Sequence, residues 1–374
     1  MNAASLVAPL AGQSARHILM SVDAVGGVWR YAMDLAAGLS RVGYRFTFVG
    51  FGPEPSPAQS SEAERIGQLL WRDAPLDWTT DDETQLDRIP QLLSEIVESA
   101  GIDLVHLNLP SQAAGLTLDV PVLVVSHSCV VTWFAGVRGT PVPPDWEWQF
   151  RRNRDGMTAA DAVIAPSQSH AQMLRQSYGE IEGLEVVLNG SNLEVEPVAK
   201  EHVVFAAGRW WDDGKNGALL DAAAAETNWP VVMAGTQNGP NGQHLALHNV
   251  EALGHVPHDE LARRVAQAAI LASPSRYEPF GLAPLEAARA GAALVLADIA
   301  TYRELWDGAA LFAAPDDAAG FAAAINRLAD DDDLRADYAQ RAKARSARYS
   351  IDAQVTAMQD VYDGLLQPAH ERGA

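Results

Sequence analysis

Cysteine is almost absent from this 374-residue chain, where Cys129 stands alone. A single thiol excludes an internal disulfide and any cysteine-based zinc cluster, and it suits a reducing compartment. Long apolar runs are missing as well, and none approaches the roughly 18 residues of a spanning helix. The leader "MNAASLVAPLAGQSAR" has no lysine or arginine before Arg16. It therefore lacks the basic start of a secretory signal and reads as the frayed leader of a cytoplasmic protein. Positive charge is scarce: 27 Lys plus Arg face 48 Asp plus Glu, a formal net charge of −21. A surface this acidic repels polyanions and argues against DNA, RNA or anionic lipid as the main partner. A few cations inside a cleft still suffice for a small anionic ligand.

Several catalytic signatures are also missing. The chain has no His-Glu-x-x-His, no Gly-x-Ser-x-Gly elbow, no P-loop and no Gly-x-Gly-x-x-Gly dinucleotide loop. No ligand spacing supports a metal centre, and no organic cofactor is implied. Cys129 and His127 do not form a nucleophile pair, because nearby positions at a strand end diverge and cysteine usually packs as a small apolar residue. No fixed-period repeat is present.

What the chain does contain is alternation. Apolar runs at 17–22, 44–50, 103–108, 121–126 and 162–167 are separated by helical stretches. After a turn-rich polar segment at 178–202, a second series follows at 202–208, 230–235, 249–254, 269–275 and 292–297. Near-continuous apolar strands between helices predict parallel sheets buried on both faces. The length favours two domains. The expected architecture is α/β: two Rossmann-like, doubly wound lobes facing across a cleft. The first lobe is expected at 1–190 and the second at 191–351, with helix 352–374 completing the first. Asp330–Asp333 reads as a helix start, where acids are favoured.

Ligands of open parallel sheets bind beyond the carboxyl ends of the strands, so candidate site residues are sought there. Gly26 and Gly27 follow the first strand and let an anion approach the N–H groups of a helix start; a simple tight turn is the alternative. In "GRWWDDGKNG", Arg209 at a strand end and Lys215 about one turn into the next helix can converge on one anion, with Asp212 or Asp213 as N-cap. An exposed pair of surface cations is the competing reading. In "SRYEPFGLAPLEAARAGA", Pro279, Phe280 and Gly281 shape a loop, and Pro284 fits the first turn of a helix stopped near Gly291. Glu278 projects from that loop and Glu286 sits two turns along the helix. They are candidates for a catalytic acid/base pair, for sugar clamps, or for ordinary capping and solvation. His127 follows a strand of the first lobe and aims across the expected cleft.

The sequence around these residues resembles the family 4 retaining glycosyltransferases of GT-B fold. "PSRYEPFGLAPLEAARAGAALVLADIATYRELW" is similar to their Glu-x7-Glu region, "VDAVGGVWRYAMDLAAGL" to their glycine loop, "VVLNG" to their interlobe junction and "GRWWDDGKN" to their Arg-x5-Lys. "LGHVPHDEL" is similar to their base-binding loop. The resemblance covers most of the chain in the family's order. It implies a retaining hexosyltransferase in polysaccharide-type biosynthesis that uses a nucleotide-diphosphate sugar as donor, without metal. Arg209 and Lys215 would bind the diphosphate, assisted by the backbone of Gly26 and Gly27. Glu286 would hold the ribose. Glu278, with the amides of Phe280, Gly281 and Leu282, would hold the transferred sugar. The backbone of Gly254, His255 and Val256 would meet the base, and His127 would contact the sugar near the reacting carbon. UDP, GDP and ADP are all compatible, as are a saccharide, a lipid-linked saccharide reached by local membrane contact, or a small-molecule acceptor. No oligomeric state is implied.

Two departures from the family pattern stand out. Trp210-Trp211 replaces smaller apolar residues, and "LNG" stands where Pro-Asn-Gly is frequent. Segment 129–156 carries Trp133, Phe134, Trp146 and Trp148 with Arg138, Arg151, Arg152 and Arg154. It would suit a sugar or phosphorylated acceptor, or else its tryptophans are core and its arginines a solvated face. Two other functions stay open at this level: a two-lobed sugar-binding protein, and an epimerase or hydrolase of nucleotide-sugars.

Overall fold

A computed structural model describes residues 15–193 and 198–367. Most of the leader, and residues 368–374 of the expected crossing helix, lie outside the described residues. Two separate parallel sheets are present, each covered by helices. The first contains β1 (Arg16–Val22), β2 (Tyr44–Gly50), β3 (Gln68–Trp71), β4 (Leu104–Leu107), β5 (Val122–Val125), β6 (Ala162–Ala165) and β7 (Leu184–Val186), in the order β3-β2-β1-β4-β5-β6-β7. The second contains β8 (Glu201–Ala207), β9 (Val231–Ala234), β10 (Glu251–Gly254), β11 (Ala268–Ser273), β12 (Ala293–Ala297) and β13 (Leu311–Ala313), in the order β10-β9-β8-β11-β12-β13.

The apolar runs explain these strands. In β1, "RHILMSV", every residue after the first is buried, as expected of a central parallel strand with helices on both faces. All ten expected strands occur within two residues of their expected limits. The three that sequence reading missed, β3, β7 and β13, are all edge strands. Of these, β7 falls inside the segment read as a polar interruption.

Strand order positions the site. Each sheet reverses direction at one place, between β1 and β4 in the first and between β8 and β11 in the second. Crevices open beyond the strand ends at such reversals. The loops after β1, β4, β8 and β11 begin at Asp23, Asn108, Gly208 and Pro274, so the chemistry-bearing segments gather at these ends.

After the second sheet the chain returns to the first lobe. Helix Ile351–Leu366 places Val355, Met358 and Tyr362 in the first-lobe core beside Ile18, Met20 and the glycine-loop helix Gly27–Ser40. The two helices approach so closely that a Cβ on Gly38 would meet Val355 Cγ2 at 2.4 Å. Tyr44 donates its hydroxyl hydrogen to Asp363 at 2.7 Å. Where the two crossing segments pass, Ser191 bridges Ser350, and the Gly190 amide donates to Gln354 Oε1 at 2.8 Å. None of the helices of the described residues is long and apolar enough to cross a membrane.

A Cβ at Gly190 would lie 2.4 Å from the Ser350 carbonyl oxygen and 2.8 Å from the Ile351 nitrogen. Backbone cannot yield there as a flexible side chain does. Gly190→Ala is expected to cost about 1–3 kcal/mol by overpacking, read as a lower denaturation midpoint. An unchanged midpoint would show that the crossing is slack.

Candidate active site

The two lobes meet through the loops at their strand ends. Gly26 is the extended N-cap of helix Gly27–Ser40, and a Cβ there would meet Arg209 Nη1 at 2.7 Å. A Cβ on Gly27 would reach Leu282 Cδ1 at 3.7 Å. The glycine loop of the first lobe thus lies directly against the arginine and the helix start of the second. Any side chain at 26 would displace the guanidinium.

Arg209 donates from Nη2 to Asp212 Oδ2 at 3.3 Å, and its guanidinium lies 5.7 Å from the Trp211 ring centroid, within cation–π range. The tryptophan pair divides its roles. Trp210 is core and donates from Nε1 to the Ala234 carbonyl at 2.9 Å, while Trp211 is half-buried at the cleft.

Lys215 is not inside the following helix, as the sequence suggested. It closes a 3-10 turn, Asp213–Lys215, and the α-helix begins only at Gly217. Asn216 separates them with a left-handed φ of 56°, the only such non-glycine among the described residues. Its buried amide donates to the carbonyls of Pro274 (3.0 Å) and Pro315 (2.7 Å), which ties this strained turn to two neighbouring loops. The Lys215 ammonium then meets Glu278 Oε2 at 2.5 Å. Their side chains are only 21% and 15% exposed, so the pair is shielded from water far more than a surface ion pair.

The two glutamates have different surroundings. Glu278 is held by Lys215 within its own lobe. Glu286, on helix Leu282–Arg289, has Asp34 and Arg30 of the first-lobe helix as its charged neighbours. Arg30 is already committed, at 2.5 Å to Asp34 and 2.7 Å to Glu62. Burial first, and then the Asp34 charge, push the Glu286 carboxyl up to about 7. Phe280 itself is a core side chain, edge-on to Tyr349, and Gly281 has φ 93°, which turns the loop into the helix.

His127 packs edge-on against Tyr31, with 4.2 Å between centroids, and its Nε2 lies 2.9 Å from Asn108 Oδ1. Asn108 Nδ2 donates to the Ser21 carbonyl at 2.6 Å, which fixes the amide so that Oδ1 can only accept. The network therefore assigns the proton of His127 to Nε2 and leaves Nδ1 as an acceptor. The same oxygen lies 3.3 Å from His106 Nε2, and His106 Nδ1 accepts from the Tyr362 hydroxyl at 2.6 Å. Burial, with smaller contributions from neighbouring histidines, holds the His127 imidazole neutral, its pKa pushed down to about 3.

Gly254, His255 and Val256 stand at the end of edge strand β10. The Gly254 carbonyl accepts from the Gly235 amide at 2.7 Å, and Gly235 is pressed against the Gly208 carbonyl, so this loop is linked to the one that carries Arg209. Among the described residues no three His, Cys, Asp or Glu side chains group as a metal set.

A cavity of about 850 Å³ opens between the lobes beside Gly26, His127 and Arg209, with Trp133, Trp146 and Trp211 among its walls; Lys215, Glu278 and Glu286 lie outside that lining. Segment 129–156 is therefore partly cleft wall and partly core. Trp148 and Arg152 are buried, and Arg152 bonds Asp87 at 2.9 Å and the Leu86 carbonyl at 2.7 Å. Arg151 pairs with Glu83 at the surface, whereas Arg138 pairs with Asp213 across the cleft. Trp133 Nε1 also crosses the cleft, to Asp212 Oδ1 at 2.8 Å. Asn108, Asn216 and the cross-cleft role of Asp212 escaped sequence reading, because each bonds residues remote in the chain.

The elevated Glu286 pKa has a consequence for stability. An unfolded chain releases this proton near 4.5, whereas the folded protein keeps it to about 7. The folded state binds more protons in that interval, so stability falls as pH rises through it. Glu286→Gln removes the effect. Its thermal midpoint is expected to gain on wild type between pH 5 and pH 8, and a difference that does not change with pH would contradict the assignment.

Comparison with known proteins agrees with this two-lobed fold. Residues 25–195 match the family described as Glycosyltransferase Family 4, and residues 200–345 match Glycosyl transferases group 1. A glycogen synthase of Mycobacterium tuberculosis is 24% identical over 373 residues, covering 87% of each chain. Sucrose-phosphate synthase of Thermosynechococcus elongatus has the same fold at TM-score 0.78 and 19% identity, over 94% of this chain and 99% of its own. Anabaena HepE in complex with UDP-glucose follows at TM-score 0.72 and 18% identity, over 93% and 99%. With the two matches in order along two α/β lobes, this protein belongs to the GT-B glycosyltransferases of family 4.

Proposed function

We propose that the protein transfers a sugar from a nucleoside-diphosphate sugar to a hydroxyl acceptor with retention of anomeric configuration. The second lobe, residues 191–351, carries the donor. The first lobe, residues 1–190 completed by the crossing helix, carries the acceptor. The observation that carries this reading is the approach of Arg209 to the Gly26 backbone, with Lys215 on the same loop as Arg209. Cations beside a helix N-terminus form a site for a diphosphate, and in a chain of net charge −21 such a grouping is not incidental. The HepE complex with UDP-glucose, on the same fold, supports the donor class.

In the reaction, the bond between the anomeric carbon and the β-phosphate oxygen breaks. Negative charge gathers on that phosphate, and the ring acquires positive character. Arg209, Lys215 and the N–H groups at Gly26 and Gly27 stabilise the departing charge without reorganising. Glu278 hydrogen-bonds hydroxyls of the transferred sugar as Lys215 divides its ammonium between carboxylate and phosphate. Glu286 takes the ribose hydroxyls, the amides of Phe280 to Leu282 hold the sugar, and the backbone at Gly254 to Val256 meets the base. Neutral His127 presents Nδ1 as an acceptor to a sugar hydroxyl. The acceptor oxygen attacks from the face the phosphate leaves, and its proton passes to the phosphate oxygen. No protein nucleophile takes part. Docking of the lobes excludes water from the reacting centre.

Titration calorimetry with UDP, GDP and ADP, without added metal, is expected to show micromolar binding of one nucleotide. Lys215→Ala is expected to weaken that binding at least tenfold and to lower kcat by about 100- to 1000-fold, the usual cost of deleting one preorganised charge-stabilising group. Equal binding by wild type and variant would remove the phosphate assignment. Proton NMR of the first-formed product is expected to show the anomeric configuration of the donor; the opposite anomer would refute same-face attack.

A further inference from the structure

The connection between β9 and β10 is built unlike its neighbours. Parallel strands are usually joined through a helix, and helices Gly217–Ala224 and His258–Gln267 stand in the connections on either side. Residues 235–250 contain no helix and fold back as a hairpin. Asn238 and His244 bridge in antiparallel register. The Gly239 amide donates to the Gln243 carbonyl at 2.8 Å, and the Leu245 amide to the Gln237 carbonyl at 3.0 Å. The base of the hairpin is anchored as well. The Trp210 amide donates to the Thr236 carbonyl at 2.9 Å, and a Cβ on Gly217 would meet Leu245 Cδ2 at 2.8 Å.

This hairpin closes on Trp211. A Cβ on Gly239 would lie 2.8 Å from the indole atoms Cδ2 and Cε3, so glycine lets the hairpin backbone rest directly on the ring. The Arg209 guanidinium stands over the same ring, 5.7 Å from its centroid. Trp211, with Asn241, Gln243 and His244 of the hairpin, lines the interlobe cavity beside Arg209. Of the two adjacent tryptophans that depart from the family pattern, Trp210 is consumed by the core and Trp211 is not.

The two cations of the site are held by different means. Lys215 sits on a carboxylate, 2.5 Å from Glu278 Oε2, and shares its charge with that partner. The Arg209 side chain makes one hydrogen bond among the described residues, the 3.3 Å contact from Nη2 to Asp212, and its buried Nε has no partner among them. An aromatic face attracts a guanidinium without occupying any of its N–H groups. Held in this way, Arg209 stays in position and keeps donors for a bidentate grip on phosphate oxygens. A second carboxylate in place of the ring would hold it too, but would compete with the anion for the same donors.

We propose that Trp211, clamped by hairpin 236–245, is a positioning residue whose ring fixes the Arg209 guanidinium for the donor diphosphate and leaves its N–H groups free. The proposal rests on the phosphate reading above. Calorimetry on the full chain tests it, with UDP, GDP and ADP and the matching monophosphates. The proteins compared are wild type, Trp211→Leu, Trp211→Tyr, Arg209→Ala and the double variant Arg209→Ala/Trp211→Leu. Leucine keeps apolar bulk without an aromatic face, and tyrosine keeps the face. Trp211→Leu is expected to weaken the diphosphate that binds by about fivefold or more, the scale of one cation–π contact, and to reduce its preference over the monophosphate. Trp211→Tyr is expected to restore most of both. In the Arg209→Ala background Trp211→Leu is expected to cost no further affinity, because the ring acts through the arginine. Gly239→Val, which pushes on the ring and keeps every indole atom, replaces Trp211→Leu in this cycle if the leucine variant does not fold, with the same expectations. An equal loss in both backgrounds would show the ring touching the nucleotide itself and would overturn the proposal. So would wild-type affinity in Trp211→Leu, or a tyrosine variant as weak as the leucine one, beside a weakened Arg209→Ala. Wild-type affinity in Arg209→Ala would instead remove the phosphate assignment of that residue, and the proposal with it.

Discussion

One carboxylate, that of Asp212, sets the geometry on which the cleft depends. It accepts from the Gly214 amide at 2.8 Å, which shapes the turn that ends in Lys215. It pairs with Arg209, and across the cleft it receives the Trp133 indole hydrogen. The side chain is about 10% exposed, so these bonds form in a poorly hydrated setting where losing one partner costs more than at the surface. Cation placement and lobe docking are therefore not independent features. A change in how the lobes sit alters the partner of Arg209 and the turn that carries Lys215 together.

Other bonds across the cleft share this polar character. The Tyr277 hydroxyl lies 2.8 Å from Thr132 Oγ1 and donates to Ser128 at 3.1 Å, the Ser167 hydroxyl donates to the Pro279 carbonyl at 2.7 Å, and Glu304 accepts from the amides of Gln168 and Ser169. Polar contacts of this kind exchange readily for water, unlike an apolar core, and they suit lobes that must separate and rejoin. Opposed to them, Glu286 and Asp34 place two carboxyl groups on facing helices with only one arginine, Arg30, between three acids.

Much of this was legible in the sequence, and the pattern of what was not has a physical basis. Central strands announce themselves because burial on both faces demands continuous apolar runs. The missed strands β3, β7 and β13 are edges of three or four residues, and the exposed Glu185 in β7 shows how little apolar pattern such a strand needs. Arg209, Lys215, Glu278 and Glu286 stand out by local spacing beside glycine and proline. Asn108 and Asn216 carry no such signal. Asn108 matters because it joins His127 to His106, and Asn216 because it bonds Pro274 and Pro315, 58 and 99 residues away. The tryptophans of segment 129–156 look alike in the sequence. Only packing separates Trp148, in the core, from Trp146, in the cleft wall.

The hydrogen-bonded series from His127 through Asn108 and His106 ends on Tyr362, in a helix that follows the entire second lobe along the chain. During synthesis, then, the first lobe emerges without Met358 and Tyr362, which fill its core, and its buried His106 has no hydroxyl to satisfy Nδ1. The ribosome must deliver some 170 further residues before that gap is filled, which reverses the usual order in which domains close as they are made. Until then the first lobe exposes an apolar groove along helix Gly27–Ser40, and the second lobe, with its own separate core, is free to fold ahead of it.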